Sequence, residues 1–179
     1  MATLESKRPK SVKTAITPQT PPPTTVGLPH MPAMYHGKKR EKFLPWEHAE
    51  ERLTRARNYW ICTSRADGRP HSAPVWGFWH DGALYFGTHR ESRKARNIAI
   101  NPGVSVHLES GDDVVIVEGL AEEVDQKALA RQVDAVCRKK YGMPMTVFPE
   151  SIAFRVRPRV VLAWTEKDFP NNSTRWEFR

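Results

Sequence analysis

The chain has 179 residues, enough for one domain plus an appendage on a prior of roughly 100–200 residues per domain. Apolar residues make up 39% and charged residues 27%, a composition that builds a core and excludes a wholly disordered chain. No stretch approaches the ~18 consecutive apolar residues of a membrane helix, and the N-terminus lacks the apolar run of a secretory signal. Two cysteines, Cys62 and Cys137, are too few for a disulfide scaffold or a cysteine-rich metal site, which implies a reduced, cytoplasmic setting. The net charge of +8 raises a nucleic-acid reading, and its distribution decides whether that reading holds.

Residues 1 to about 45 hold eight of the 15 prolines, including the run Pro21-Pro22-Pro23. They also hold eight basic residues against Glu5 and Glu41, so six of the eight net charges sit in the first quarter of the chain. Such a segment has little to bury, and residues 1–44 are expected to form a solvated, Pro-rich basic arm. Residues 45–179 are expected to form the folded domain, with a net charge of only +2.

The domain opens on Pro45-Trp46. Trp46, Ala49, Leu53, Ala56 and Trp60 recur at three- and four-residue intervals, which predicts an amphipathic helix ending near Asn58. A β-rich block follows. Tyr59–Arg65 reads as a strand, Ala66–Arg69 as a turn, Pro70–His80 as a second strand, Asp81-Gly82 as a tight hairpin and Ala83–Thr88 as a third strand. A helix over about Ser92–Ile100 stops at Asn101-Pro102-Gly103. Val104–Glu109 and Asp113–Val124 form another strand pair. A helix over Gln126–Tyr141 closes at Gly142, and Ile152–Thr165 is a last strand interrupted at Pro158. Six strands without βαβ alternation predict a mainly β fold, an antiparallel barrel with peripheral helices.

Two stretches carry the chemistry. In Thr88–Asn97 (THRESRKARN), Thr88 ends a strand, Ser92 caps a helix, and Arg93, Lys94 and Arg96 fill its first turn. Cations at a helix N-terminus oppose the dipole, an arrangement that an anion would reverse. The same residues also fit a plain solvated face. In Pro70–His80 (PHSAPVWGFWH), the strand is apolar on both faces around Gly77. Pro74 removes a ladder donor in mid-strand, and Gly77 admits a close neighbour. A flat aromatic ligand along this strand, anchored at its far end by the cationic cluster, accounts for both irregularities. Trp76 and Tyr85 are read as barrel core with stacking as the alternative, Cys62 as a small buried hydrophobe, and His71, next to the ring strand, as a polar rim or core residue with proton donor as the alternative. No metal-ligand spacing occurs among the seven histidines.

Gly68–Trp76 (GRPHSAPVW), Asp81–Thr88 (DGALYFGT), Ser92–Asn97 (SRKARN) and Asn101-Pro102, in this order and spacing, resemble the pyridoxamine 5'-phosphate oxidase-like proteins. These are the FMN-binding split β-barrels, which include flavin- and deazaflavin-dependent oxidoreductases, and the likeness runs from Trp46 to Phe178. The resemblance implies a six-stranded antiparallel split β-barrel and a homodimer with the cofactor at the subunit interface. It puts the cofactor phosphate near Thr88, Ser92, Arg93 and Lys94, with Asn97 in the same motif, and the ring beside Pro74, Val75, Trp76 and Gly77. The catalytic residues stay unassigned.

The chain departs from the true oxidases. Ala73 and Phe78 stand where those enzymes bring an Arg and a Lys toward the phosphate, and Thr174-Arg175-Trp176 replaces their C-terminal Arg and His motif. Pyridoxal phosphate synthesis is therefore not expected. The resemblance is instead to the branch that uses coenzyme F420 or binds FMN, implying an oxidoreductase that transfers hydride to an unsaturated small molecule. Two other readings stay open: a flavin-, deazaflavin- or tetrapyrrole-binding protein without turnover, and a nucleic-acid binder led by the basic arm.

Overall fold

The computed structural model describes residues 22–35, 42–144 and 150–179. Its strands are β1 Thr25–Gly27, β2 Asn58–Ser64, β3 Pro70–His80, β4 Ala83–His89, β5 Gly103–His107, β6 Asp113–Val124, β7 Ser151–Thr165 and β8 Thr174–Glu177. The α-helices are α1 Trp46–Arg55, α2 Arg93–Ile100 and α3 Gln126–Tyr141. Strands β7-β4-β3-β2-β5-β6 are neighbours in that order, and a further β6–β7 pairing closes them into a six-stranded antiparallel barrel. No helix among the described residues is long and apolar enough to cross a membrane.

Local chemistry explains the elements. Asp81 and Gly82 both take positive φ, 48° and 68°, as the tight turn between right-twisted strands demands. Ser92 caps α2 by accepting the amide of Ala95, and Asp125 caps α3 by accepting those of Lys127 and Ala128. Gly142 ends α3 in the left-handed conformation at φ 75°. Helix α1 stops at Arg55, three residues before the expected end, because β2 claims Asn58 opposite Trp76.

Inward side chains of β2–β7, among them Tyr59, Ile61, Leu84, Phe86, Val106, Val115, Val117 and Val156, are almost fully buried. Helix α1 covers one end of the barrel with Ala49 and Leu53. Trp46 packs edge-on against Trp176 and Phe178, with centroids 5.4 and 5.2 Å away. His48 and Arg52 both pair with Asp113 at the start of β6, fixing the helix to the β5–β6 side. Helix α3 lies outside the barrel, burying Leu129, Val133 and Cys137 against Phe78, Tyr85, Val124 and Ala153.

Three expectations need correction. The arm over 1–44 is anchored in its described part: β1 pairs with β8, and the Lys42 amide bonds the Asn171 carbonyl. Residues 1–21 and 36–41 lie outside the described residues. Pro158 does not interrupt the last strand. β7 runs through it, and a bulge opposite Glu118/Gly119 leaves Arg159 unpaired with β6, its carbonyl accepting the Phe178 amide. Cys62 is partly exposed on the outer sheet face, 3.3 Å from the Ser72 hydroxyl.

Gly119 makes this bulge possible, because a Cβ there would sit 2.2 Å from the Arg157 carbonyl oxygen. Gly119→Ala is expected to cost about 1–3 kcal/mol. Thermal unfolding followed by circular dichroism should show a fall of roughly 2–4 °C per kcal/mol. An unchanged midpoint would mean that the β7 backbone yields without cost.

Candidate functional site

β3 has 11 residues and β4 seven, yet they pair only from Gly77↔Phe86 to His80↔Ala83. From Gly87 onward β4 follows β7 alone, setting Thr88 opposite Ile152. Residues 70–76 of β3 therefore have β2 on one side and no strand on the other. Had the register continued, Pro74 would have faced His89 without an N–H to offer. The barrel is split here.

The end of β4 and the start of α2 form one wall of the opening. Thr88 Oγ1 donates to Ser92 Oγ at 3.0 Å, and Lys94 Nζ donates to Thr88 Oγ1 at 3.3 Å. Lys94 is partly buried, and desolvation lowers its pKa. His71, on the open half of β3, is also held below the ordinary imidazole range. Desolvation acts first, followed by the charges of Lys94, Arg65 and Arg93. Arg65 follows β2, and its buried Nε has no hydrogen-bond partner among the described residues. None of Arg65, Arg93 and Lys94 makes an ion pair among those residues. Three cations, a capping hydroxyl and a helix N-terminus thus gather with no anion among them, the electrostatics of an anion seat.

The structure divides the expected site residues. Thr88, Ser92, Arg93 and Lys94 come together at this corner. Arg96 does not join them, because Glu91 takes its guanidinium. Asn97 is buried and donates to Thr63 Oγ1 at 2.9 Å, holding α2 to β2 rather than facing the opening. Pro74 lies exposed on the open half of β3, and the Val75 side chain belongs to the core.

Trp76 is not core. It is 49% exposed and stacks on Tyr141 at 4.7 Å and 11°. Tyr85 is core, stacked on Phe78 beneath α3. Gly77 does admit a close neighbour, but that neighbour is β4, since a Cβ would sit 2.7 Å from the Tyr85 carbonyl oxygen. Tyr141 Oη lies 2.6 Å from the Gly77 carbonyl, and Lys140 Nζ donates to the same oxygen at 2.8 Å. With Trp76 stacked on Tyr141, the part of the open half left for a ligand is Ser72–Val75, two residues nearer His71 than the expected Pro74–Gly77.

Arg65, Arg57, Lys140 and Tyr141 escaped the sequence reading. Arg65 looked like a strand terminus beside a turn, and Lys140 like a charge suited to a helix C-terminus. A signal for Arg65 was present: it is a cation two residues past the β2 position whose hydroxyl holds α2. Only the register of β2 against β3 reveals it.

Comparison with known proteins agrees with this architecture. The family model described as pyridoxamine 5'-phosphate oxidase matches residues 45–165. General Stress Protein 26 from Bacillus anthracis str. Sterne is 28% identical with a TM-score of 0.55, the match covering 65% of this chain and 91% of that one. A protein described as an F420 reductase is 26% identical with a TM-score of 0.52, covering 63% and 94%. A conserved hypothetical protein from Mycobacterium tuberculosis is 26% identical with a TM-score of 0.61, covering 72% and 89%. A search of curated proteins finds no match. With a matching family model over two thirds of its length and the split barrel those relatives share, the chain belongs to the pyridoxamine 5'-phosphate oxidase family.

Proposed function

We propose that this protein is an oxidoreductase that binds FMN or the deazaflavin coenzyme F420 in the split of its barrel. The reading rests on one observation: Arg65, Arg93 and Lys94 converge beside Thr88 and Ser92 without a single carboxylate partner among the described residues. A phosphate would supply the missing charge, held by the α2 amides and Lys94 within the field of Arg65 and Arg93. The ring then lies along Ser72–Val75, where β3 has a free side and Pro74 presents no donor. The likeness to an F420 reductase supports this choice of cofactor class.

When bound, the flavin or deazaflavin supplies hydride transfer to an unsaturated small molecule. The chain's own residues bind and orient. Thr88 passes its hydrogen bond to Ser92, which keeps the Lys94 ammonium directed at the corner. Asn97 fixes the pitch of α2 through Thr63. His71, held toward its neutral form, is the titratable side chain that stands nearest the ring strand.

The proposal includes a homodimer with the cofactor at the subunit interface. The outer faces of β3, β2, β5 and β6 carry Pro74, Trp60, His107 and Ile116 in one cross-strand row. Trp60 and His107 stack in parallel, and α1, α2 and α3 pack on other surfaces. Such a half-exposed aromatic row beside an open groove suits a second copy of the chain, which would close the split.

Fluorescence titration of the purified protein with FMN and with F420 tests the cofactor. Micromolar or tighter binding of one is expected, weakened about tenfold or more by Lys94→Ala through loss of a charge-assisted contact; binding of neither sinks the reading. Tight binding without reoxidation of the reduced cofactor by any acceptor would leave a carrier in place of an enzyme.

The His71 resonance gives an independent check by NMR. Occupancy of the corner by a phosphorylated cofactor offsets the Lys94, Arg65 and Arg93 charges, so the His71 pKa should rise on binding. A pKa that stays in place or falls would put the phosphate elsewhere. Sedimentation should find a dimer that Trp60→Glu dissociates, with loss of cofactor affinity. A monomer that still binds cofactor tightly would remove the interface from the site.

A further inference from the structure

The opposite end of β3's open half has features that the cofactor seat does not use. Trp76 lies five residues beyond His71, roughly 16 Å along an extended strand. Its ring stacks on Tyr141, and the Arg57 guanidinium carbon lies 5.6 Å from the centroid of each ring. Tyr141 is held rigidly: its hydroxyl is 2.8 Å from the Arg57 carbonyl and 2.6 Å from that of Gly77. Lys140 packs beneath, donating to Gly77 and to Tyr59 Oη at 2.9 Å, and burial lowers its pKa to about 8. The stack is thus built by four separate elements and kept flat.

On the other side of Arg57 is an open cleft of about 510 Å³, between the end of α1 and the β5–β6 turn. Of its charged residues, Arg57 alone among the cations lacks a carboxylate partner among the described residues. Arg52 is bound to Asp113, Arg55 to Glu51, and Glu109 accepts from Asn58. Arg57 makes no ion pair among the described residues. Among the described residues its guanidinium makes one long hydrogen bond, 3.4 Å to the Lys140 carbonyl. A guanidinium beside two aromatic rings keeps its in-plane N–H groups free, and that edge matches a carboxylate.

We infer that Arg57, Trp76 and Tyr141 form a recognition site for a planar aromatic or conjugated carboxylate, the substrate class of the bound cofactor. The ligand's ring stacks on the outer face of Trp76 and its carboxylate takes the free edge of Arg57. The inference rests on the reading of β3's open half as the cofactor seat, which brings such a ligand to the ring's end.

Isothermal calorimetry on the full chain, with and without FMN or F420, tests it using 2-naphthoate and its neutral counterpart 2-naphthalenemethanol. The acid should bind about tenfold or more tightly than the alcohol, and Arg57→Ala should reduce that ratio to under about twofold. Arg57→Lys, which keeps the charge but not the planar fork, should retain only part of the preference and guards against a folding defect in the alanine variant. Equal binding of acid and alcohol overturns the inference. So does a preference that survives Arg57→Ala but disappears in Lys94→Ala, since the acid would then occupy the phosphate corner. The two readings fail separately. Blank FMN and F420 titrations with an intact, Arg57-dependent acid preference count against the cofactor, whereas normal cofactor uptake with no preference counts against the carboxylate site.

Discussion

Backbone pairing between β3 and β4 stops at Gly77, and β4 continues along β7 alone. At Gly77 the strands come too close for a side chain, since a Cβ would meet the Tyr85 carbonyl at 2.7 Å. Beyond it they part, and Pro74 ensures that β3 has no donor with which to recapture β4 in the following register. An exposed strand edge invites promiscuous pairing. Here the first turn of α2 borders the edge, while Tyr141 and Lys140 of α3 hold β3 at Gly77, where the edge begins. Every candidate functional group stands along this parting.

The electrostatics follow from that geometry. Only three residues separate β4 from helix α2, so its N-terminus faces the opening and its first residues bring Arg93 and Lys94 with them. The hairpin between β2 and β3 returns Arg65 and His71 to the same corner. Like charges gathered at a positive helix end are unfavourable, and partial burial of Lys94 adds a desolvation cost. No carboxylate among the described residues relieves them, although Glu91 relieves Arg96 one turn away. Other cations on the barrel are neutralised: the partly buried Glu122 holds both Arg155 and Arg157. This contrast is the basis for the proposal that an outside anion completes the corner.

The far end of β3 obeys a different logic. Its aromatic rings and one unpaired guanidinium form a flat, rigid surface, while Lys140 is drawn into the barrel wall beneath it. Functional groups of opposite character thus lie at the two ends of one strand: a seat for concentrated negative charge and a platform for a planar ring. The distance between them is set by strand rise, which makes β3 the ruler for any ligand that spans both.

Much of this was determined by the sequence alone, because it depends on neighbours in the chain. The Asp81-Gly82 turn, the Ser92 and Asp125 caps, the six barrel strands and the coincidence of Thr88, Ser92, Arg93 and Lys94 are all local, read from spacing and turn chemistry. What depends on register across strands was decided by the tertiary structure. Residues 25–27 read as solvated arm but pair with β8, since an edge 150 residues away offered them a partner. Asn97 read as a ligand contact, yet Thr63 captures it. Gly77 read as room for a ring, yet the Tyr85 carbonyl of β4 fills it. Arg57 and Arg65 look in sequence like ordinary cations at strand ends, and they matter because folding leaves each, among the described residues, without the carboxylate that Arg52, Arg55 and Arg69 found.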